Sequence, residues 1–188
     1  MRAGEVWLVG AGLGDPGLIT VTGYQLLQEA DVVVHDQLGC EELLQYIPST
    51  TRLVPVGKRA GRHSAGQDDI NRLLEEEARA GNAIVRLKGG DPFIFGRGME
   101  EILYLHRAGI RTRVVPGITS STAGPAAAGI PVTHRGLARH FLVATGQTEN
   151  EGVPAFSGAD TIIFLMGMKN MEEIATRLLD EGVSRDTP

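Results

Sequence analysis

The chain has 188 residues, a formal net charge of −5, 42% hydrophobic residues and one cysteine, Cys40. That is enough apolar material for a core, in one large domain or two small ones. The lone cysteine excludes an internal disulfide and a thiolate cluster and points to a reducing, cytoplasmic setting, and the mild acidity argues against non-specific nucleic-acid binding.

The chain alternates strand and helix patterns from its start. Residues 6–9 read as a short buried strand, followed by Gly10-Ala11-Gly12-Leu13-Gly14-Asp15-Pro16-Gly17. A strand that opens this early, with no charged-then-apolar leader, predicts no secretion signal. The spacing predicts a helix over 19–30, capped by Thr20 or Thr22, and a strand over 31–36 with Val32, Val33 and Val34 as its core. Residues 41–47 read as a helix stopped by Pro48, and 52–56 as a strand. A basic, glycine-rich loop over 57–66 leads to a helix over 67–80, with Ile70, Leu73 and Leu74 on one face. A strand is expected over 83–88, a helix over 99–108 and a fifth strand over 111–115. The order implies an open parallel α/β sheet. Beyond Pro116-Gly117 a small-residue helix over 118–130, strands over 141–145 and 161–166 and a helix over 171–179 are expected. No apolar run approaches the roughly 18 residues of a membrane span. A domain boundary is placed near 116–120, giving an N-terminal parallel α/β domain (1–116) and the start of a second α/β domain (117–188). Two strands are few for a sheet of its own, so this second part reads as unfinished.

The most informative run is Arg86-Leu87-Lys88-Gly89-Gly90-Asp91-Pro92-Phe93-Ile94-Phe95-Gly96-Arg97-Gly98. A buried strand breaks on two glycines, whose backbone a ligand could approach. Asp91-Pro92 makes a turn, and Phe93, Ile94 and Phe95 put an apolar wall where a loop is usually polar. An ordinary strand-to-helix turn with a hydrophobic plug is the plainer alternative. Gly12-Leu13-Gly14-Asp15-Pro16-Gly17 fits G-x-G-x-x-G, and Asp36 follows about 20 residues on, as in a dinucleotide fold. A nicotinamide-dependent oxidoreductase is therefore a rival reading. Asp15-Pro16 counts against it, because a pyrophosphate needs free backbone N–H groups there.

Lys58-Arg59-Ala60-Gly61-Arg62-His63 is a cationic cluster in an acidic chain, read either as a solvated loop or as a site for a polycarboxylate. Arg86, Lys88 and Arg97 flank the central run, and His134, Arg135 and Arg139 form a second basic patch suited to carboxylates. Asp36, at a strand end, caps a turn, pairs with a nearby cation or accepts a proton, the last if partial burial raises its pKa. The five histidines have no metal-ligand spacing, so no metal is expected. Cys40 reads as a packing residue. Ser120-Ser121-Thr122 has no nucleophile elbow, so a hydrolase is not argued.

Taken together, Val9-Gly10-Ala11-Gly12-Leu13-Gly14-Asp15-Pro16-Gly17, Val56-Gly57-Lys58-Arg59-Ala60-Gly61, the run through Gly98, Pro116-Gly117-Ile118-Thr119-Ser120, Gly129-Ile130-Pro131-Val132-Thr133-His134-Arg135 and Phe164-Leu165-Met166-Gly167 resemble the tetrapyrrole methylase family. Within it they are most similar to the branch acting on uroporphyrinogen III, with a later corrin-pathway methylase as the nearest rival. The resemblance implies two α/β domains with a cleft for S-adenosyl-methionine between them, and S-adenosyl-homocysteine as product. It implies cofactor contacts from Leu13, Gly89, Gly90, Asp91, Ile94, Thr119, Ser120 and Met166. Leu13 stands where the family usually has proline. The resemblance also implies Asp36 as proton acceptor and Lys58 as proton donor. Arg59, Arg62, Arg97, His134 and Arg135 would meet a tetrapyrrole substrate, and the enzyme would be a homodimer.

Overall fold

The computed structural model describes residues 1–56, 66–147 and 158–187. The chain divides into two compact units, Met1–Thr119 and Ser120–Pro188.

The first unit is built on five parallel strands: β1 (Glu5–Gly10), β2 (Val32–His35), β3 (Arg52–Pro55), β4 (Ile84–Lys88) and β5 (Arg111–Val115). Their spatial order is β3-β2-β4-β1-β5. Successive side chains of a strand point to opposite faces, and here both faces are covered. Val6, Leu8, Val32, Val34 and Ile84 pack with Ile70 and Leu74 of α2 (Gln67–Arg79) and Leu105 of α3 (Gly98–Arg107). Val9, Val33, Val85 and Leu87 pack on the other face with Leu26 and Leu27 of α1 (Val21–Glu29) and with Leu43. Every residue of β2 and β4 is buried, which explains why these strands read as near-continuous apolar runs.

Thr20 caps α1, its hydroxyl accepting the Gly23 N–H at 3.1 Å. The helix expected over 41–47 is instead a 3-10 helix, Glu41–Tyr46. Its six residues are too few to repay helix nucleation, and Pro48 drives Ile47 to extended dihedrals (φ −86°, ψ 135°).

The topology positions the site. β1 leads through α1, on one face, to β2, whereas β4 leads through α3, on the opposite face, to β5. β1 and β4 are neighbours. The crevice beyond their carboxyl ends is a topological switch point, the usual ligand position of open α/β sheets.

The second unit holds α4 (Ser120–Ala127), two parallel strands β6 (Phe141–Thr145) and β7 (Thr161–Leu165), and α5 (Met171–Asp180). α4 is shorter than the expected 118–130. It carries Pro125 internally and is stopped by Gly129 at φ +71°, with the Ile130 N–H returning to the Pro125 carbonyl at 2.8 Å. β7 ends one residue early because Met166 turns to φ +60°. Gly146 and Gly167 bring backbones together beyond the two strands, where a Cβ on Gly146 would lie 2.3 Å from Gly167 Cα.

Candidate active site

Two glycine loops and the exit of β5 meet at the switch point. The Gly12 N–H donates to the Gly90 carbonyl at 3.2 Å, and the Gly90 N–H to the Gly12 carbonyl at 2.8 Å. Gly10 packs against Gly117 so closely that a Cβ on Gly10 would sit 2.4 Å from Gly117 Cα. Asp91 fastens the corner. Its Oδ1 accepts the Phe93 N–H at 2.8 Å and its Oδ2 the Gly117 N–H at 3.0 Å.

Gly89 and Gly90 are glycines for different reasons. A Cβ on Gly89 would lie 2.6 Å from the Leu38 carbonyl oxygen, so the protein's own backbone occupies that space. Gly90 has φ +67° and nothing within 4 Å of its missing Cβ. A side chain is thus excluded at Gly89 by the protein itself and at Gly90 by the backbone conformation. Beyond them Gly96 and Gly98 press on the Pro92 carbonyl, and the Gly98 N–H donates to it at 3.0 Å. This closed loop leaves Phe93, Ile94 and Phe95 exposed by 53%, 42% and 44%. Phe95 and Arg97 are held at φ +51° and +56°, a strain of the kind that gathers at ligand sites.

The first glycine loop lacks a phosphate cradle. Asp15 caps a three-residue 3-10 helix, Pro16–Leu18, with Oδ1 accepting the Gly17 N–H at 2.8 Å. The Ala11 N–H is taken by the Lys88 carbonyl at 2.7 Å, as that of Gly12 is by Gly90. A pyrophosphate would find a carboxylate and occupied amides.

Asp36 leaves β2 beside this corner, its N–H donating to the Leu87 carbonyl at 3.0 Å. Its side chain is about a third exposed and meets a guanidinium: Arg86 Nη2 donates to Asp36 Oδ1 at 2.6 Å. Behind Arg86 lies Glu101 of α3, fully buried. Glu101 Oε1 accepts from Arg86 Nε at 3.2 Å, Lys88 Nζ at 2.9 Å and Gln67 Nε2 at 3.3 Å. Burial opposes the charge on Arg86, but Glu101 and Asp36 outweigh it and raise its pKa. Burial, reinforced by Arg86, pushes Lys88 below the ordinary lysine value despite Glu101. Arg86 and Lys88, which flank the central run in sequence, are therefore internal, and of the three flanking cations only Arg97 is exposed. β4 is the central strand and is covered on both faces, so no side chain on it reaches solvent. Glu101 was missed in the sequence. The signal was there: two cations two residues apart share one face of an apolar strand, and that face needs a buried carboxylate on the helix above it. Cys40 is buried and its thiol is pushed up to about 12, by burial first and then by Asp36, which suits a packing residue.

Residues 5–188 match the family described as Tetrapyrrole (Corrin/Porphyrin) Methylases. The chain belongs to the tetrapyrrole methylase family. It is similar to uroporphyrinogen-III C-methyltransferase of Methanocaldococcus jannaschii, 50% identical over 191 residues, covering 98% of this chain and 79% of that protein. Siroheme synthase 2 of Pectobacterium atrosepticum is 46% identical over 98% of this chain, which spans only 41% of that longer protein. Uroporphyrin-III C-methyl transferase of Thermus thermophilus, solved in complex with S-adenyl homocysteine, superposes with a TM-score of 0.81 at 46% identity, covering 95% of this chain and 77% of that one.

In this tetrapyrrole methylase, Gly89, Gly90, Asp91 and Ile94 come from one loop at the switch point, and Leu13, 39% exposed, lies on the loop after β1 between Gly12 (φ +73°) and Gly14 (φ +98°). Thr119 ends the first unit, while Ser120 opens α4 and Met166 follows β7 in the second. Arg97 precedes α3 and pairs with Glu100 through Nη2–Oε2 at 2.6 Å. His134 and Arg135 lie on an exposed turn of the second unit, closed by the His134 N–H on the Ala138 carbonyl at 2.9 Å. Lys58, Arg59 and Arg62 lie outside the described residues.

Proposed function

We propose that this chain carries out S-adenosyl-methionine-dependent C-methylation of uroporphyrinogen III, adding two methyl groups in succession to give precorrin-2, on the route to sirohaem and cobalamin. The observation that carries the proposal is the 50% identity, over 98% of the chain, to a relative named for that reaction. The relatives named as siroheme synthases favour this over a later step of the corrin pathway.

The residues at the switch point fit such a cofactor. Gly90 leaves an open, left-handed backbone position where a nucleoside can lie against the chain. Asp91, oriented by the Phe93 and Gly117 amides, adds a negative charge that suits a sulfonium and would repel a phosphate. Leu13, Ile94 and Thr119 are proposed as its neighbours in the first unit. S-adenosyl-methionine supplies an electrophilic methyl group to which a pyrrole carbon of the substrate bonds as the carbon–sulfur bond breaks. The protein's part is to align the two reactants, which is mainly an entropic contribution, and to take up the proton that the methylated macrocycle then loses; the attacked carbon is fully substituted and carries none itself. Asp36 is the proposed acceptor, a partly exposed carboxylate at the carboxyl edge of the sheet. Lys58 is the proposed proton donor, with Arg59, Arg62, Arg97, His134 and Arg135 as substrate contacts. The enzyme is further proposed to act as a homodimer in the cytoplasm.

The test is calorimetry of the full-length protein with S-adenosyl-homocysteine, followed by turnover of uroporphyrinogen III. Binding together with a dimethylated product is expected. Absence of binding, or tight binding of NADH in its place, would reject the reading. Asp36→Ala is expected to keep the cofactor affinity and lose turnover.

A further inference from the structure

The geometry points to Arg86 as the positioning residue for Asp36, with Glu101 as the anchor that aims it. The inference rests on the reading of Asp36 as proton acceptor.

Arg86 lies in the middle of a fully buried strand, and all three nitrogens of its guanidinium donate hydrogen bonds. Nε donates to Glu101 Oε1 at 3.2 Å, Nη1 to the Leu87 carbonyl at 3.1 Å and the Val34 carbonyl at 3.5 Å, and Nη2 to Asp36 Oδ1 at 2.6 Å. A guanidinium is planar, so fixing Nε and Nη1 fixes the direction of Nη2. A lysine at this position would keep the charge without the direction. Glu101 Oε1 is itself held from three sides by Arg86, Lys88 and Gln67, and the residue is wholly buried.

Stability alone gives little reason for this arrangement. Buried ion clusters are on average no more stabilising than apolar residues of equal volume. A fixed direction at the end of the cluster does give a reason. Of the four charged members, Asp36, Arg86, Lys88 and Glu101, Asp36 is the one that reaches solvent, and it does so through a carboxylate pinned by one oxygen. Oδ1 belongs to Arg86, and Oδ2 makes no hydrogen bond among the described residues. A carboxylate held in this way presents its second oxygen at a constant position, as proton removal from a carbon requires.

The experiment compares Arg86→Lys, Asp36→Asn and the double variant in the full-length enzyme. Melting temperature and S-adenosyl-homocysteine affinity are measured first, to establish that each variant is folded. Arg86→Lys is expected to leave cofactor affinity and the KM for uroporphyrinogen III within about 3-fold and to lower kcat by roughly 100-fold. In the Asp36→Asn background the same change is expected to have no further effect on kcat, because residues acting as a unit are non-additive. Glu101→Gln keeps the volume, loosens the guanidinium and is expected to lower kcat by about 10-fold; it carries the same comparison if Arg86→Lys does not fold. Full turnover in the Arg86 and Glu101 variants, or additive losses in the double variant, would overturn the inference. If Asp36→Asn is slow while Arg86→Lys is fast, the base assignment stands and only the positioning role falls. If Asp36→Asn itself turns over at the normal rate, the base assignment fails and the positioning role goes with it.

Discussion

A methyl group on Gly117 would sit 2.1 Å from the Gly90 carbonyl oxygen and 2.7 Å from Gly10 Cα. Neither neighbour is a side chain that could swing away, so the two loops would have to part. Gly117→Ala is therefore expected to lower stability by about 3 kcal/mol, at the upper end for overpacking, as read from the midpoint of urea unfolding. Gly90→Ala should behave differently. Its Cβ meets nothing, and the cost is the left-handed backbone, about 1 kcal/mol. The same Cβ would project into the space proposed for the cofactor. Gly90→Ala should thus lose more in S-adenosyl-homocysteine affinity than in stability, with calorimetry and denaturation measured on one preparation. A reversed ranking would count against the cofactor corner.

Among the elements, β1 and α1 each begin at a side chain that makes specific hydrogen bonds. Glu5 opens β1, buried, between Trp7 Nε1 at 3.0 Å and Arg113 Nε of β5 at 3.1 Å. Burial works to raise its carboxyl pKa, but the Trp7 hydrogen bond and the Arg113 charge reverse that and leave it below the usual value of 4.5. A carboxylate depressed in the folded state binds its proton more readily unfolded. Its stabilisation is complete above the unfolded pKa and is lost as pH falls through the folded one. Glu5→Gln should accordingly be about 1 kcal/mol less stable than the parent at pH 7. The two should converge as pH falls below 4.5, as parallel urea titrations would show. For α1, Thr20→Ala removes the acceptor of the Gly23 N–H and is expected to cost about 1 kcal/mol.

On the scale of the whole molecule, the two units differ in how much they bury. Met1–Thr119 has a five-stranded sheet covered on both faces. In Ser120–Pro188 the sheet has two strands, every residue of β7 is only half-buried, and the buried apolar side chains among the described residues are Ala144 and Ile174. Two-stranded sheets are marginal on their own. A fragment of residues 1–119 is expected to unfold cooperatively in urea, and a fragment of 120–188 to show no cooperative transition. A sharp transition in the shorter fragment would refute this account of where stability resides.

Much of this was legible in the residues before any coordinates. Strands and helices announced themselves because a doubly covered parallel sheet demands unbroken apolar runs such as Val32-Val33-Val34, and because caps such as Thr20 act locally. The glycine loops and the run through Asp91 carried the family likeness, since a tight turn or a close backbone approach restricts residue type at each position. Folding in space settled the matters that depend on residues far apart in the chain. Leu38 accounts for Gly89, Gly10 and Gly90 account for Gly117, and Glu101 draws Arg86 and Lys88 inward while Arg86 claims an oxygen of Asp36. Periodicity and turn chemistry act over a few neighbours and can be read along a line. Which strand becomes central, and which carboxylate neutralises its cations, follows from packing in three dimensions.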